Sequence, residues 1–207
     1  MPITFPISLP ASPTARSITI SKRSVVGGDA SPFTLQGQTY TWPGQAWLAR
    51  IDLPPMLRAD AERWVAALLS LNGREGSFFL GDTANKVPRG VATGTPLVKG
   101  GGQTGSDLLT DGWSPGVTGI LKAGDWLQLG SGGTARLYKV LVDADSNVSG
   151  EATLTLWPKL RSSPADNAAI TIASPMGRFM LAEEPEWSID EAHLYGLSFS
   201  AVEDLRP

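Results

Sequence analysis

The chain has 207 residues, of which 42% are hydrophobic and only 18% charged, with a formal net charge of -3 and no cysteine. The hydrophobic content is enough for a buried core, while the charge content lies well under that of an average soluble domain. A pI near 5.2 and the absence of any Lys/Arg run argue against a nucleic-acid or anionic-membrane binder, and the missing cysteines exclude disulfides, thiol nucleophiles and cysteine-ligated metals.

Residues 1–16 are proline-rich and read as an extended arm, without the basic start and apolar stretch of a signal peptide. Strand-like segments follow at 17–21, 38–42 and 46–53. The run Gln38-Thr39-Tyr40-Thr41-Trp42 is rich in the β-branched and aromatic side chains that suit a pleated surface. Val26-Gly27-Gly28-Asp29 reads as a loop, and Pro43-Gly44 as a hairpin turn between two strands.

One helix is predicted over about 55–71. Ala61, Trp64, Val65, Leu68 and Leu71 recur at three- and four-residue steps, so they form one apolar stripe. Arg58, Asp60, Glu62 and Arg63 fall mostly on the opposite face, and Asn72-Gly73 tolerates the left-handed backbone that ends a helix. A single amphipathic helix has to bury its stripe on a sheet.

After a strand at 76–82, residues 83–111 shift to Gly, Thr and Pro and read as loops and short strands. A compact run of strands follows at 120–129, 135–142 and 152–157. Its junctions, Ser131-Gly132-Gly133 and residues 143–150, carry turn chemistry. Residues 170–172 lead back to strands at 178–181, 187–190 and 194–203. In the last of these, Leu197, Phe199 and Ala201 alternate with Ser198, Ser200 and Val202 in a half-buried pattern. The predicted fold is mainly β: a β-sandwich core with one covering α-helix, plus an inserted small β-barrel. The host occupies 1–83 and 174–207, and the insert 84–173. An independent insert would be replaceable by a short linker.

Catalytic and metal patterns are incomplete. His193 is the single histidine and lacks the companion ligands of a zinc or iron site. Asp143-Ala144-Asp145-Ser146-Asn147 begins like a calcium loop, but Val148 stands where Gly is required and Leu154 where Glu is required. Lys99-Gly100-Gly101-Gly102 places the Lys on the wrong side of the glycines for a phosphate loop. Asp125 and Glu151 form the one carboxylate pair to test as a glycosidase. Of the tryptophans, Trp113 (read as loop-borne and exposed) and Trp126 are the candidate glycan contacts. The sequence therefore reads as a non-enzyme with no cofactor and no metal.

Four segments carry a family resemblance in their order and spacing. They are Gly76-Ser77-Phe78-Phe79-Leu80-Gly81-Asp82, Gly102-Gln103-Thr104-Gly105, the stretch from Leu121 through Gly124-Asp125-Trp126 to Gly130, and the stretch from Gly150 through Leu156-Trp157-Pro158. Taken together they resemble distal tail proteins of long-tailed, non-contractile bacteriophages, over roughly residues 15–205. The resemblance implies a homohexameric ring at the virion tail tip, assembled in the host cytoplasm. Such a ring joins the tail tube protein to the tail-tip hub protein and receptor-binding apparatus, and leaves an open channel for DNA. It also implies an insert like the oligosaccharide- and oligonucleotide-binding (OB) barrel, no sequence-specific nucleic-acid binding and no membrane insertion. Members with a lectin-like accessory domain carry a long segment after the core, which is not expected here beyond Leu205. The rival reading is a carbohydrate-binding module or adhesin that recognises host surface glycans through the inserted β module.

Overall fold

A computed structural model describes residues 3–206. The fold is mainly β: a β-sandwich core with one covering helix, and a small, nearly closed β-barrel. The host sheet has the order β1 (Ser17–Ala30), β2 (Gly37–Asp52), β12 (Tyr195–Glu203), β10 (Gly177–Leu181) and β3 (Phe78–Leu80). A short β11 (Glu186–Ile189) lies beyond β10 along the same edge of β12.

Alternation decides which face of this sheet is buried. Ile51 pairs with Phe199 and Ala49 with Ala201, so the apolar residues of both strands share one face. Helix α1 (Arg58–Ser70) lays Ala61, Trp64, Val65 and Leu68 on that face. Trp64 and Phe78 both approach the Phe199 ring, at 6.3 and 6.1 Å between centroids. The predicted stop is where the sequence places it, with Asn72 at φ 49° and Gly73 at φ 65°.

The second sheet lies between β3 and β10 in the chain. Its order is β4 (Gly94–Val98), β5 (Asp107–Trp113), β8 (Ala152–Trp157), β7 (Arg136–Val140), β6 (Trp126–Leu129) and β9 (Ile170–Thr171). A bridge between Leu97 and Ala169 brings the two ends together. Leu108, Leu127, Tyr138, Val140, Leu154 and Leu156 fill the inside. The strand predicted at 120–129 is shorter than expected. Gly119 and Gly124 take positive φ, so residues 120–125 turn instead, and Ile120 and Leu121 reach the barrel core from that turn.

The outer face of β6 and β7, with the end of β8, packs against the host. Trp126, Lys139 and Trp157 are cross-strand neighbours there, and Trp126 and Leu137 belong to the host core. Trp47 of β2 sits between two indoles, 4.8 Å from Trp126 and 4.2 Å from Trp157. Its Nε1–H donates to the Leu137 carbonyl at 2.9 Å. The host core thus contains barrel side chains.

Two expectations about the first hairpin are corrected. Val26–Asp29 is not a loop, and Pro43-Gly44 is not its turn, because β1 and β2 pair continuously from Ser17–Asp52 to Ala30–Gly37. Ser24 pairs with Gln45 and Val26 with Thr41, so Trp42, Pro43 and Gly44 lie opposite Val25 alone. That is a bulge, where a proline without an N–H costs the ladder nothing. The actual turn is at 31–36. There Ser31 Oγ accepts from the Phe33 and Thr34 amides, and Leu35 takes φ 57°.

Candidate interaction surface

The acidic residues singled out for chemistry are all held by their own chain. Asp125 accepts from the amides of Arg89 (2.9 Å), Gly90 (3.1 Å) and Lys122 (2.8 Å), and its carboxylate is buried. Glu151 is bound by Lys99 and by Asn147 Nδ2. The two carboxylates share no hydrogen-bond partner. The Lys99 and Asn147 bonds hold the Glu151 carboxyl below its ordinary range.

Asp143 accepts from the Ala123 amide and pairs with Lys122, and Asp145 accepts from the Gly119 amide. Asn147 Oδ1 accepts from the Ser149 and Glu151 amides, which is an Asx turn. No group of three or more His, Cys, Asp or Glu side chains that could hold a metal occurs among the described residues. The glycine loop at 99–105 is pinned by Gln103, whose amide bonds Lys99, Gly100 and Leu109. His193 is exposed in the turn before β12, at φ 60°.

The tryptophans depart most from expectation. Trp113 lies at the end of β5, not in a loop, and is buried, its Nε1–H donating to Thr110 Oγ1 at 2.8 Å. Trp126 is buried too. Its Nε1–H donates to Asp82 Oδ2 at 3.1 Å, and the Lys139 ammonium sits 4.1 Å from its ring centroid. Burial leaves neither indole a free face for a pyranose to stack on. The exposed indoles are Trp42 (55%) and Trp187 (42%), which sequence reasoning did not select.

The barrel–host junction carries a chain of buried charges. Glu203 accepts from Arg161 Nη2 at 2.6 Å and from the Trp47 amide at 3.1 Å. Asp204 pairs with Arg178 at 3.1 Å and Arg206 at 2.8 Å, while Arg136 of β7 donates to the carbonyls of Asp204 and Arg206. Burial works against the Asp204 charge. The Arg206 bonds and the Arg178 charge outweigh it and hold the carboxyl below its usual range. Burial, with the Arg178 charge beside it, lowers Arg136. Arg161 and Arg136 come from the barrel segment, while Glu203 and Asp204 close the host sheet. The network therefore fixes one body on the other. It is the counterpart of the Trp47 contact, built from ions instead of rings.

One surface remains without a partner among the described residues. From the bulge outward, residues 24–44 of β1 and β2 form a two-stranded ribbon whose two faces are almost wholly exposed. It carries Val25, Val26, Tyr40 and Trp42, and ends in Phe33 (94% exposed) and Leu35 (83%). Gly27 leaves room beside Trp42, since a Cβ there would meet the indole at 3.1 Å. The sequence signal was Pro43 inside a β-branched, aromatic run. Read as a bulge, it would have predicted the long ribbon. No helix among the described residues is long and apolar enough to cross a membrane.

A scan of the chain against models of known protein families finds no match, and no curated protein matches it.

Proposed function

We propose that this chain is a structural subunit of a bacteriophage tail tip: a homohexameric ring that joins the tail tube to the tail-tip hub and leaves a channel for DNA. The observation that carries this reading is the bare ribbon at 24–44. An isolated two-stranded hairpin is marginal in water, and contiguous exposed apolar surface marks a contact site. The ribbon projects Val25, Val26, Phe33, Leu35, Tyr40 and Trp42 away from the body of its own chain, so its natural cover is another subunit. A rigid body behind the ribbon suits an adaptor, and the junction of buried charges and stacked indoles supplies one. The order and spacing of the four segments named above support the same reading, with the barrel as the counterpart of that family's OB-like insert.

The test is the mass of the purified chain by light scattering, with negative-stain images of the same fraction. A hexamer with a central hole is expected. Phe33→Ser with Leu35→Ser should abolish it and leave a folded monomer by far-ultraviolet circular dichroism, since both side chains are exposed. A wild-type chain that stays at 21.9 kDa at the highest attainable concentration refutes the ring reading, because association is driven by concentration.

A further inference from the structure

The host sheet ends in two unpaired edges of opposite charge. Among the described residues β1 bonds only β2, so its outer edge has no strand beside it there. At the other end β3 covers β10, but β11 bonds only β12 and its outer edge has no strand beside it among the described residues. Open edges of this kind are templates for strand pairing between chains.

Along the inner half of β1, residues 16–23 carry Arg16, Lys22 and Arg23 and no acid. Around β11, residues 183–191 carry Glu183, Glu184, Glu186, Asp190 and Glu191 and no base. All eight side chains are exposed, and none takes part in an ion pair among the described residues. Elsewhere the chain pairs its acids readily, as with Asp125, Asp143, Glu151, Glu203 and Asp204. Uncompensated charge of one sign is thus concentrated at each edge. Apolar side chains accompany it: Trp187 and Ile189 are exposed on β11, and Val25 and Val26 on β1.

We propose that copies of this chain join head to tail, the basic β1 edge of one copy against the acidic β11 edge of the next. This rests on the ring reading and specifies its interface. The charge pattern disfavours a two-fold contact through a single edge. A two-fold contact would bring β1 onto β1 or β11 onto β11, and like charges facing across a strand pair repel. A heterologous contact satisfies both edges at once and closes into a ring when its rotation closes. Because the charged groups are exposed, salt weakens the contact.

The experiment uses the full chain and two charge-reversed variants, Lys22→Glu with Arg23→Glu and Glu183→Lys with Glu184→Lys and Glu186→Lys, each checked by far-ultraviolet circular dichroism to be folded. Light scattering should find wild type assembled and either variant alone at the mass of a monomer. In the first variant both edges are acidic, and in the second both are basic. Mixed in equal amounts, they should recover the wild-type mass in alternating copies. If either variant assembles as well as wild type, or the mixture stays monomeric, the edge assignment is overturned while the ring stands. If wild type itself never assembles, the ring reading falls and the interface with it.

Discussion

Substituting Glu203 by Gln removes one charge from the barrel–host junction and leaves its shape in place. The Glu203 side chain is 1% exposed and its partner Arg161 12%. The lost charge therefore strands a guanidinium where water can do little to solvate it. Breaking a buried pair from one side costs about 3–5 kcal/mol, against a total stability of roughly 5–15 kcal/mol for a folded domain. For a chain of this length that lowers the melting temperature by on the order of 10 °C. The amide oxygen of Gln can still accept from the Trp47 N–H, which Glu203 now accepts at 3.1 Å, so the loss reports the charge and not an orphaned amide. Thermal unfolding followed by far-ultraviolet circular dichroism measures it. Adding Arg161→Met removes the stranded cation, and the double variant should be more stable than Glu203→Gln alone. A single-variant loss below about 1 kcal/mol, in the range of exposed ion pairs, would mean the pair is hydrated and does not hold the barrel.

Trp47→Phe should cost about 2 kcal/mol by leaving the Leu137 carbonyl without its donor and opening space between two indoles; urea unfolding reads the change. Stability should also fall on acidification. The Asp82 carboxyl, like that of Asp204, sits below its ordinary range, because the bonds from Asn85, the Ala84 amide and Trp126 outweigh its burial. Groups with depressed folded values stabilise the fold above their unfolded value near pH 3.9 and lose that contribution as pH falls through the folded value. Midpoints measured downward from about pH 5 should therefore decline, and Asp204→Asn should flatten the decline. Replacing residues 84–173 by a Gly/Ser linker should leave a host that no longer unfolds cooperatively. The excision takes Trp126 and Leu137 out of the host core and Arg136 and Arg161 away from Asp204 and Glu203. A sharp transition in that shortened chain would show that the host folds alone.

Sequence periodicity read the local elements well where one face of an element meets one core. The stripe of α1 and the alternation of β12 are such cases, since each has a single buried side. It failed where a strand serves two partners or none. Trp126-Leu127-Gln128-Leu129 sends Leu127 and Leu129 into the barrel and Trp126 into the host core. Its composition signals burial without saying in which body, and so the sharing of the host core went unseen. Trp113 was misplaced for a related reason. Gly112 and Pro115 look like loop punctuation, yet the positive φ of Gly112 lets β5 run on beside β4, where a Cβ would meet the Thr95 carbonyl oxygen at 2.2 Å. The ion pairs of the junction join residues 42 apart (Arg161 and Glu203) and 26 apart (Arg178 and Asp204), a separation at which no spacing rule operates. The ribbon is the opposite failure. Gln38-Thr39-Tyr40-Thr41-Trp42 is a strand, as its composition says, but the inference from β-branched and aromatic residues to burial presumes that the covering surface belongs to the same chain. Here the bare side chains begin beyond the bulge at Val25, where the sheet stops having neighbours. If the missing neighbour is a second copy, the residues that looked like core in the sequence and like surface in the single chain are core again in the assembly. Hydrogen exchange tests this directly: the amides of 24–44 should exchange faster in the monomeric Phe33→Ser, Leu35→Ser variant than in the assembled wild type.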